Sequence, residues 1–234
     1  MKLLGHFFLA ASVAFLLASC SSTQTALWDT IQLGFTTPDD VTLSLEKVQA
    51  APADLIYIRV DDQPRATMVL AFYEHDQHKW LSSDGALLTM AHGRIVRSLG
   101  FRNDLTYLGN TAEDPIRQGP AAVESGEWLR VTDWQYRQQS GYVMRSTFHE
   151  EQGAELEVLG QRFQTRLVRE AVQVEKTAAT FENLFWFEQS TGVLLQSRQQ
   201  MAPHSPVLHI TWLSEAARLL AADMDDLALS MDLL

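Results

Sequence analysis

The sequence predicts an all-β domain, a single antiparallel meander closing into a barrel or sandwich, with short N-terminal helices and an acidic C-terminal helix. Three observations predict it. Between residues 55 and 212 about ten or eleven short segments alternate apolar with polar residues and are rich in Val, Ile, Tyr, Phe and Trp. Most are joined by turn residues such as Asp61-Asp62-Gln63-Pro64, His92-Gly93 and Ser190-Thr191-Gly192. Helical periodicity is confined to the two ends, so no strand–helix–strand alternation calls for a parallel sheet. At 234 residues one domain is expected, large enough to bury a core without disulfides or metals.

The N-terminus carries the most specific signal. Lys2 precedes an apolar run, Leu9 to Leu17, too short to span a membrane as a mature helix. Leu17-Ala18-Ser19-Cys20 then fits the bacterial lipobox, in which the Cys20 thiol is acylated and the preceding peptide removed. Cys20 is also the sole cysteine. This divides the chain into a signal peptide (1–19), a lipidated tether (20–26), a β domain (27–213) and an acidic amphipathic tail (214–234). Cleavage removes Lys2 and no carboxylate, leaving 17 Lys and Arg against 29 Asp and Glu, so the formal charge moves from -11 to -12. So acidic a chain, of pI about 5.0, excludes nucleic acid as a partner and adhesion to anionic lipid by charge. Its hold on a membrane would come from acyl chains. By resemblance to enterobacterial lipoproteins, Ser21 after the cysteine favours the outer membrane, facing the periplasm.

After the tether, Trp28, Ile31 and Phe35 fall at near-helical spacing before Gly34 and Pro38 end the segment. A second short helix is expected from Ser44 to Ala50, stopped by Pro52. Leu55–Val60 and Thr67–Tyr73 form a hairpin, followed by Trp80–Gly100, two extended segments around His92-Gly93. Residues 101–127 are the least regular stretch, full of Gly, Pro, Asn and Asp; a functional loop and a plain connection across one barrel end are both open readings. Trp128, Arg130, Thr132, Trp134 and Tyr136 share one side of the next segment. Tyr142–His149, Ala154–Leu159 and Phe163–Val174 follow as strands, the last with Val168, Val172 and Val174 facing one way and Arg169, Gln173 and Glu175 the other. Leu184–Phe187, Val193–Gln200 and a final strand, with Leu208, Ile210 and Trp212 alternating with His209 and Thr211, complete the set. Ser214 can cap the terminal helix, whose acidic polar face suits packing, a partner or fraying better than a membrane surface.

Catalytic and metal signals are weak. His75 and His78 lie in a polar turn without zinc-site spacing, so no metal or other cofactor is expected. There is no G-x-S-x-G elbow, and lipidation consumes the thiol. Asp84, Asp104 and Asp133 are the carboxylates from which a glycosidase pair could be drawn, although Asp84-Gly85 reads as a turn and Asp133 as a partner for Arg130 or Arg137. Arg94 and Arg97, flanking the hairpin, suit an anionic sugar, a phosphate or a carboxylate across the sheet. Trp128 and Trp134 suit sugar stacking or a buried core, and core is the expectation.

The combination W-x-S-x-D-G then G-R-[IV]-V-R-[ST]-x-G, from Trp80 to Gly100, resembles the bacterial YjbF/GfcB lipoproteins, tied to exopolysaccharide and group-four capsule operons. The resemblance extends to Leu27-Trp28, to Pro52–Arg59, to Val69-Leu70-Ala71 and to F-W-F-E-x-x-T-G-x-[LV]-L-x-S-R from Phe185 to Arg198. It departs at Ala53-Asp54, where an aromatic and a small residue would be expected, and in the acidic tail. It implies a non-catalytic binding or scaffold module assisting polysaccharide export or assembly, with an outer-membrane β-barrel, other periplasmic proteins of its operon and the polysaccharide as partners. It brings no catalytic residues. The same Phe-Trp-Phe and T-G-x-L-L residues also resemble the half-barrels of lipoprotein-sorting proteins, which would make the chain an acyl-chain carrier with an internal apolar cavity. A periplasmic glycosidase is the third reading.

Overall fold

The computed structural model describes residues 40–120, 123, 126–135 and 139–231, so the signal segment, Cys20, Trp28 and Tyr136 lie outside the described residues. Fourteen strands and two helices are described. The strands are β1 (Leu55–Val60), β2 (Ala66–Glu74), β3 (Gln77–Leu81), β4 (Leu87–Ala91), β5 (Arg94–Leu99), β6 (Leu105–Leu108) and β7 (Glu127–Trp134). They continue with β8 (Gln139–Gln152), β9 (Leu156–Val158), β10 (Gln161–Phe163), β11 (Thr165–Val174), β12 (Thr180–Glu188), β13 (Leu194–Gln200) and β14 (Val207–Trp212). The helices are α1 (Leu45–Gln49) and α2 (Leu213–Met231).

Twelve strands form one antiparallel sheet in the order β5-β4-β3-β2-β1-β14-β13-β12-β11-β8-β7-β6, nearly closed into a barrel. Every neighbour is a sequence neighbour except β1 with β14, paired from Ile56↔Trp212 to Val60↔Leu208, and β8 with β11, between which the small β9–β10 hairpin is inserted. The end strands β5 and β6 lie side by side without a ladder. Asp104 sits in that seam: its carboxylate accepts from Ser98 Oγ (2.7 Å), Gly100 N (2.8 Å) and Phe101 N (3.0 Å), while Ser98 Oγ accepts from Leu105 N (3.0 Å). Side-chain bonds thus occupy backbone donors where a ladder is missing.

Pleat alternation sorts the core into two shells. Inside the barrel Ile56, Ile58, Met68, Trp80, Leu88, Met90, Ile95, Leu208, Ile210 and Trp212 pack together. Outside, Leu55, Tyr57, Val69 and Leu195 are covered by Val48 of α1, by Val158 and Phe163 of β9–β10, and by Leu213, Ala216 and Ala217 of α2. The first four residues of β1 are therefore buried on both faces. Ser44 caps α1, accepting from Lys47 N at 3.4 Å.

The structure differs from the sequence reading in four places. The expected strand Phe163–Val174 is broken at Gln164, because Phe163 ends the β9–β10 flap while Thr165 begins a wall strand. The irregular stretch turns inward: its 3-10 turns Thr111–Glu113 and Pro115–Gln118 bring Ile116 and Val123 against Val168, Phe185 and Phe187 on the inner wall. Ser214 does not cap the last helix, which starts at Leu213; its hydroxyl accepts from Leu55 N at 2.9 Å and ties α2 to β1. The described residues also hold more strands than periodicity suggested, since the short strands β6 and β10 fall below what alternation can register.

Candidate functional site

Two places gather chemistry. The first is inside the barrel. β11 presents Val168, Glu170, Val172 and Val174 on one face, and Glu170 therefore points inward and is fully buried. A lone buried carboxylate is costly, and here it is paired. Arg94 Nη1 lies 2.5 Å from Glu170 Oε2 and Arg130 Nη1 lies 3.0 Å from Oε1. Ser146 Oγ donates to Glu170 at 2.5 Å and Asn183 Nδ2 at 2.9 Å. Arg94 also grips Asp114 of the inserted segment through Nε (2.8 Å) and Nη2 (3.1 Å). The guanidinium of Arg94 lies 5.0 Å from the Trp128 ring centroid and 4.8 Å from that of Phe185, and that of Arg130 lies 4.4 Å from Trp128.

The charges explain the protonation states. Burial by itself would raise Glu170, but Arg94, Arg130 and the Ser146 and Asn183 bonds outweigh it and hold the carboxyl at about 2. Burial works against the charge of Arg94, yet two carboxylates raise its pKa overall. Arg130, buried and beside Arg94 with a share of one carboxylate, is lowered. Two arginines thus meet two carboxylates, all paired, and the cluster pins three walls and the inserted segment together.

The second place is a cavity of about 240 Å³ at the end of the barrel where the β4–β5 and β12–β13 turns meet the start of α2. Trp80, Met90, Trp212, Val193 and Leu194 supply its apolar wall. His78 lies stacked 6.2 Å from Trp80, and burial lowers its pKa, so it favours the neutral form. The His92-Gly93 turn closes one side, as the sequence signal anticipates, with φ of 49° and 85°. Gly93 suits this left-handed φ, and a Cβ there would also crowd the tip of the Leu194 side chain. The polar rim is Asp54, Glu215 and Arg218, in which Arg218 bonds Asp54 (2.8 and 3.1 Å) and Glu215 (2.8 Å). Asp54 and the tail, where the chain departs from the resembled pattern, therefore touch each other.

The sequence candidates distribute as follows. Arg94 takes the carboxylate option, and Trp128 is 1% exposed beneath it with Nε1 donating to Asn110 O (2.9 Å). Trp134 is buried against Tyr142 (4.8 Å) and away from Trp128's cluster. Neither tryptophan offers a face to solvent. Arg97 is exposed beside the seam. Of the three carboxylates, Asp84 accepts from Ser82 Oγ in its turn, Asp104 seals the seam and Asp133 accepts from Gly141 N (2.7 Å). Arg130 pairs with Glu170 rather than Asp133, because β7 alternation turns Arg130 inward. His75 is an exposed turn residue at φ 52°. Among the described residues no three His, Cys, Asp or Glu side chains converge as a metal site would need. Sequence reasoning missed Glu170 and Asp114; the inward parity of Glu170 with Val168 and Val172 was the available signal for the first.

Comparison with known proteins adds a consistent picture. The family model described as "Group 4 capsule polysaccharide lipoprotein gfcB, YjbF" matches residues 28–213. Among curated proteins of Escherichia coli (strain K12), the uncharacterized lipoprotein GfcB is 28% identical over 204 residues, covering 87% of this chain and 95% of that protein. The uncharacterized lipoprotein YjbF is 32% identical over 201 residues, covering 83% and 92%. The crystal structure of the hypothetical lipoprotein YmcC from Escherichia coli (K12) aligns with a TM-score of 0.67 at 27% identity, over 73% of this chain and 88% of that one.

Proposed function

Because the chain belongs to the group 4 capsule polysaccharide lipoprotein family, we propose that it is an outer-membrane lipoprotein, anchored through Cys20 on the periplasmic face. In this reading it assists capsule or exopolysaccharide export as a non-catalytic binding module. The observation that carries the non-catalytic part is the closure of the interior charge cluster, in which Arg94, Arg130, Asp114 and Glu170 are spent on each other. A glycosidase needs a carboxyl poised to give a proton, and Glu170 at about 2 stays ionised at neutral pH. Asp84, Asp104 and Asp133 each hold a turn or seam donor instead.

The acyl-carrier reading has less support, because inward side chains and the inserted Ile116 and Val123 occupy space that a lipid tail would require. Recognition then falls to the outer surface and to the cavity at the barrel end. The partners of this reading are an outer-membrane β-barrel and periplasmic proteins of the same operon, with the anchor presenting the β domain to them.

The test is the amount of surface and secreted polysaccharide in cells lacking the protein, complemented with wild type or with Cys20→Ala. A fall in polymer, restored by wild type and not by Cys20→Ala, is expected. Unchanged polymer with a shifted lipid or lipoprotein distribution would transfer the role to the carrier reading.

A further inference from the structure

Carboxylates outnumber basic residues in this chain, 29 to 18, and the arginines use them. Of the thirteen described arginines ten hold a carboxylate, among them Arg59 with Asp40, Arg169 with Glu151 and Glu182, and Arg218 with Asp54 and Glu215. Arg65, Arg97 and Arg198 are the described arginines that do not. Where acid is in surplus, a guanidinium left without it keeps its charge for a partner from outside the fold. Arg65 and Arg198 flank the same recess, on the outer face of β1, β14 and β13.

Two adjoining rows build that recess. Strand register sets Tyr57, Thr211 and Gln196 side by side, and two residues along, about 7 Å away, it sets Arg59, His209 and Arg198. Alternation turns both rows outward: Gln196, Arg198, His209 and Thr211 are partly exposed, while Ser197, Leu208 and Ile210 between them are buried. The first row floors a cavity of about 220 Å³, walled by Thr42, Arg65, Glu157 and the Leu159-Gly160 turn of the β9–β10 flap. The second row lies open beside it. There Arg59 and Arg198 stand on either side of one imidazole, an arrangement of like charge that a sheet tolerates only at a cost. Burial first, then Arg198 and Arg59, lowers the His209 pKa against the weaker pull of Asp62 and Asp61 from the β1–β2 turn, so the ring stays neutral. Among the described residues neither Arg198 nor the His209 ring has a hydrogen-bond partner.

The lining selects the ligand. A guanidinium matches a carboxylate through two parallel N–H bonds, so an acid belongs over Arg198. Gln196, Thr211 and neutral His209 each donate and accept, and Glu157 accepts, which suits the hydroxyls of a sugar. A volume below the roughly 300 Å³ where pockets for drug-sized ligands begin admits one ring. A flat bilayer surface does not reach into a recess walled by the flap turn, and Glu157 on that wall repels a sheet of phosphates. The chain's -11 also repels polyanions, but salt screens distant charge beyond about 8 Å and leaves the nearby guanidinium to decide. From these observations we infer that the outer recess binds one acidic sugar unit of a glycan, its carboxylate on Arg198 and its ring hydroxyls on Gln196 and Thr211 beneath the flap turn. The inference rests on the binding-module reading above and names its ligand class.

The test titrates the full-length, isotope-labelled chain in detergent with methyl β-D-glucuronopyranoside. Methyl β-D-glucopyranoside is the uncharged comparator, acetate carries the charge without the ring, and glycerol 3-phosphate stands for a lipid headgroup. The His209 ring signals are identified by their loss in His209→Gln. The glucuronide is expected to shift them saturably and to raise the pH at which they titrate, because a carboxylate on Arg198 offsets the field that disfavours the imidazolium. The glucoside, acetate and glycerol 3-phosphate should each bind at least tenfold more weakly. Arg198→Gln, on the surface, should weaken the glucuronide about tenfold, whereas Arg97→Gln, which removes an exposed guanidinium beside the seam, should leave it unchanged. No saturable shift, equal binding of any comparator, undiminished binding by Arg198→Gln or equal weakening by Arg97→Gln would each overturn the assignment. If polymer falls in the deletion strain and Arg198→Gln restores it fully, this site is removed and the pathway reading stands. If polymer is unchanged in that strain while the glucuronide still binds at His209, the pathway reading falls and the site stands.

Discussion

Arg94 on β5 and Glu170 on β11 stand 76 positions apart in sequence and meet inside the barrel with Nη1 2.5 Å from Oε2. Glu170 is fully buried and Arg94 is 4% exposed. The pair joins walls that share no hydrogen-bonded edge, since β5 ends the sheet order and β11 lies in its other half. Through Asp114 it also secures the inserted segment. It therefore acts as a cross-brace whose removal should be felt by the whole domain.

Breaking the brace from either side should be costly. Glu170→Gln leaves Arg94 with Asp114 alone and Arg130 with no carboxylate, and Arg94→Met leaves Asp114 without its guanidinium. Uncompensated buried charge costs about 3–5 kcal/mol. Urea unfolding followed by tryptophan fluorescence should show either variant losing stability on that scale. A loss below about 1 kcal/mol would mean that the interior admits water to the cluster.

Acid should act through the same carboxylate. Glu170 falls from an ordinary 4.5 to about 2 on folding, so the unfolded chain binds its proton first as pH drops. The stabilisation it brings is complete above about pH 4.5 and disappears as pH falls toward about 2, a loss of about 3 kcal/mol for a fully buried group. Glu188 is also held at about 2: burial opposes this, but bonds from Thr191 and Ser190 in the β12–β13 turn outweigh it, so it acts in the same direction. Thermal unfolding between pH 5 and pH 2 should show the decline in the wild type and a shallower one in Glu170→Gln.

The seam makes a separate prediction. Asp104 holds Gly100 N, Phe101 N and Ser98 Oγ in place of a ladder between β5 and β6. Asp104→Ala should cost about 2–3 kcal/mol, because buried donors lose their acceptor. Amide hydrogen exchange should accelerate first at Gly100, Phe101 and Leu105, with β1 and β14 unaffected at early times. Uniform acceleration would instead mean that the seam opens only with the whole barrel.

The near-closed sheet follows the meander that alternation predicts, and the sequence signals for β1, β14, the His92-Gly93 turn and α1 reappear at their expected positions. Those features are local: a strand needs its own period of two and a turn its own positive φ. The charged site was legible only in part. The outward default for Glu170 reflects its residue type, whereas its inward direction follows from parity with Val168 and Val172. The parity was present in the sequence; the counter-charges that make it tolerable were not, because Arg94, Asp114 and Arg130 come from three other segments.

What the sequence by itself determined is therefore each strand's two faces, the turns between them and the family signature. What only the tertiary structure decided is which faces became interior, that Ile116 and Val123 pack against the inner wall, and that Trp80, Trp212, His78 and Arg218 surround one cavity. The physical reason is range. Backbone period and turn geometry act over a few residues, but burial of charge and shape of a cavity depend on closure, which brings β1 to β14 across 147 intervening residues at the Val60–Leu208 pair.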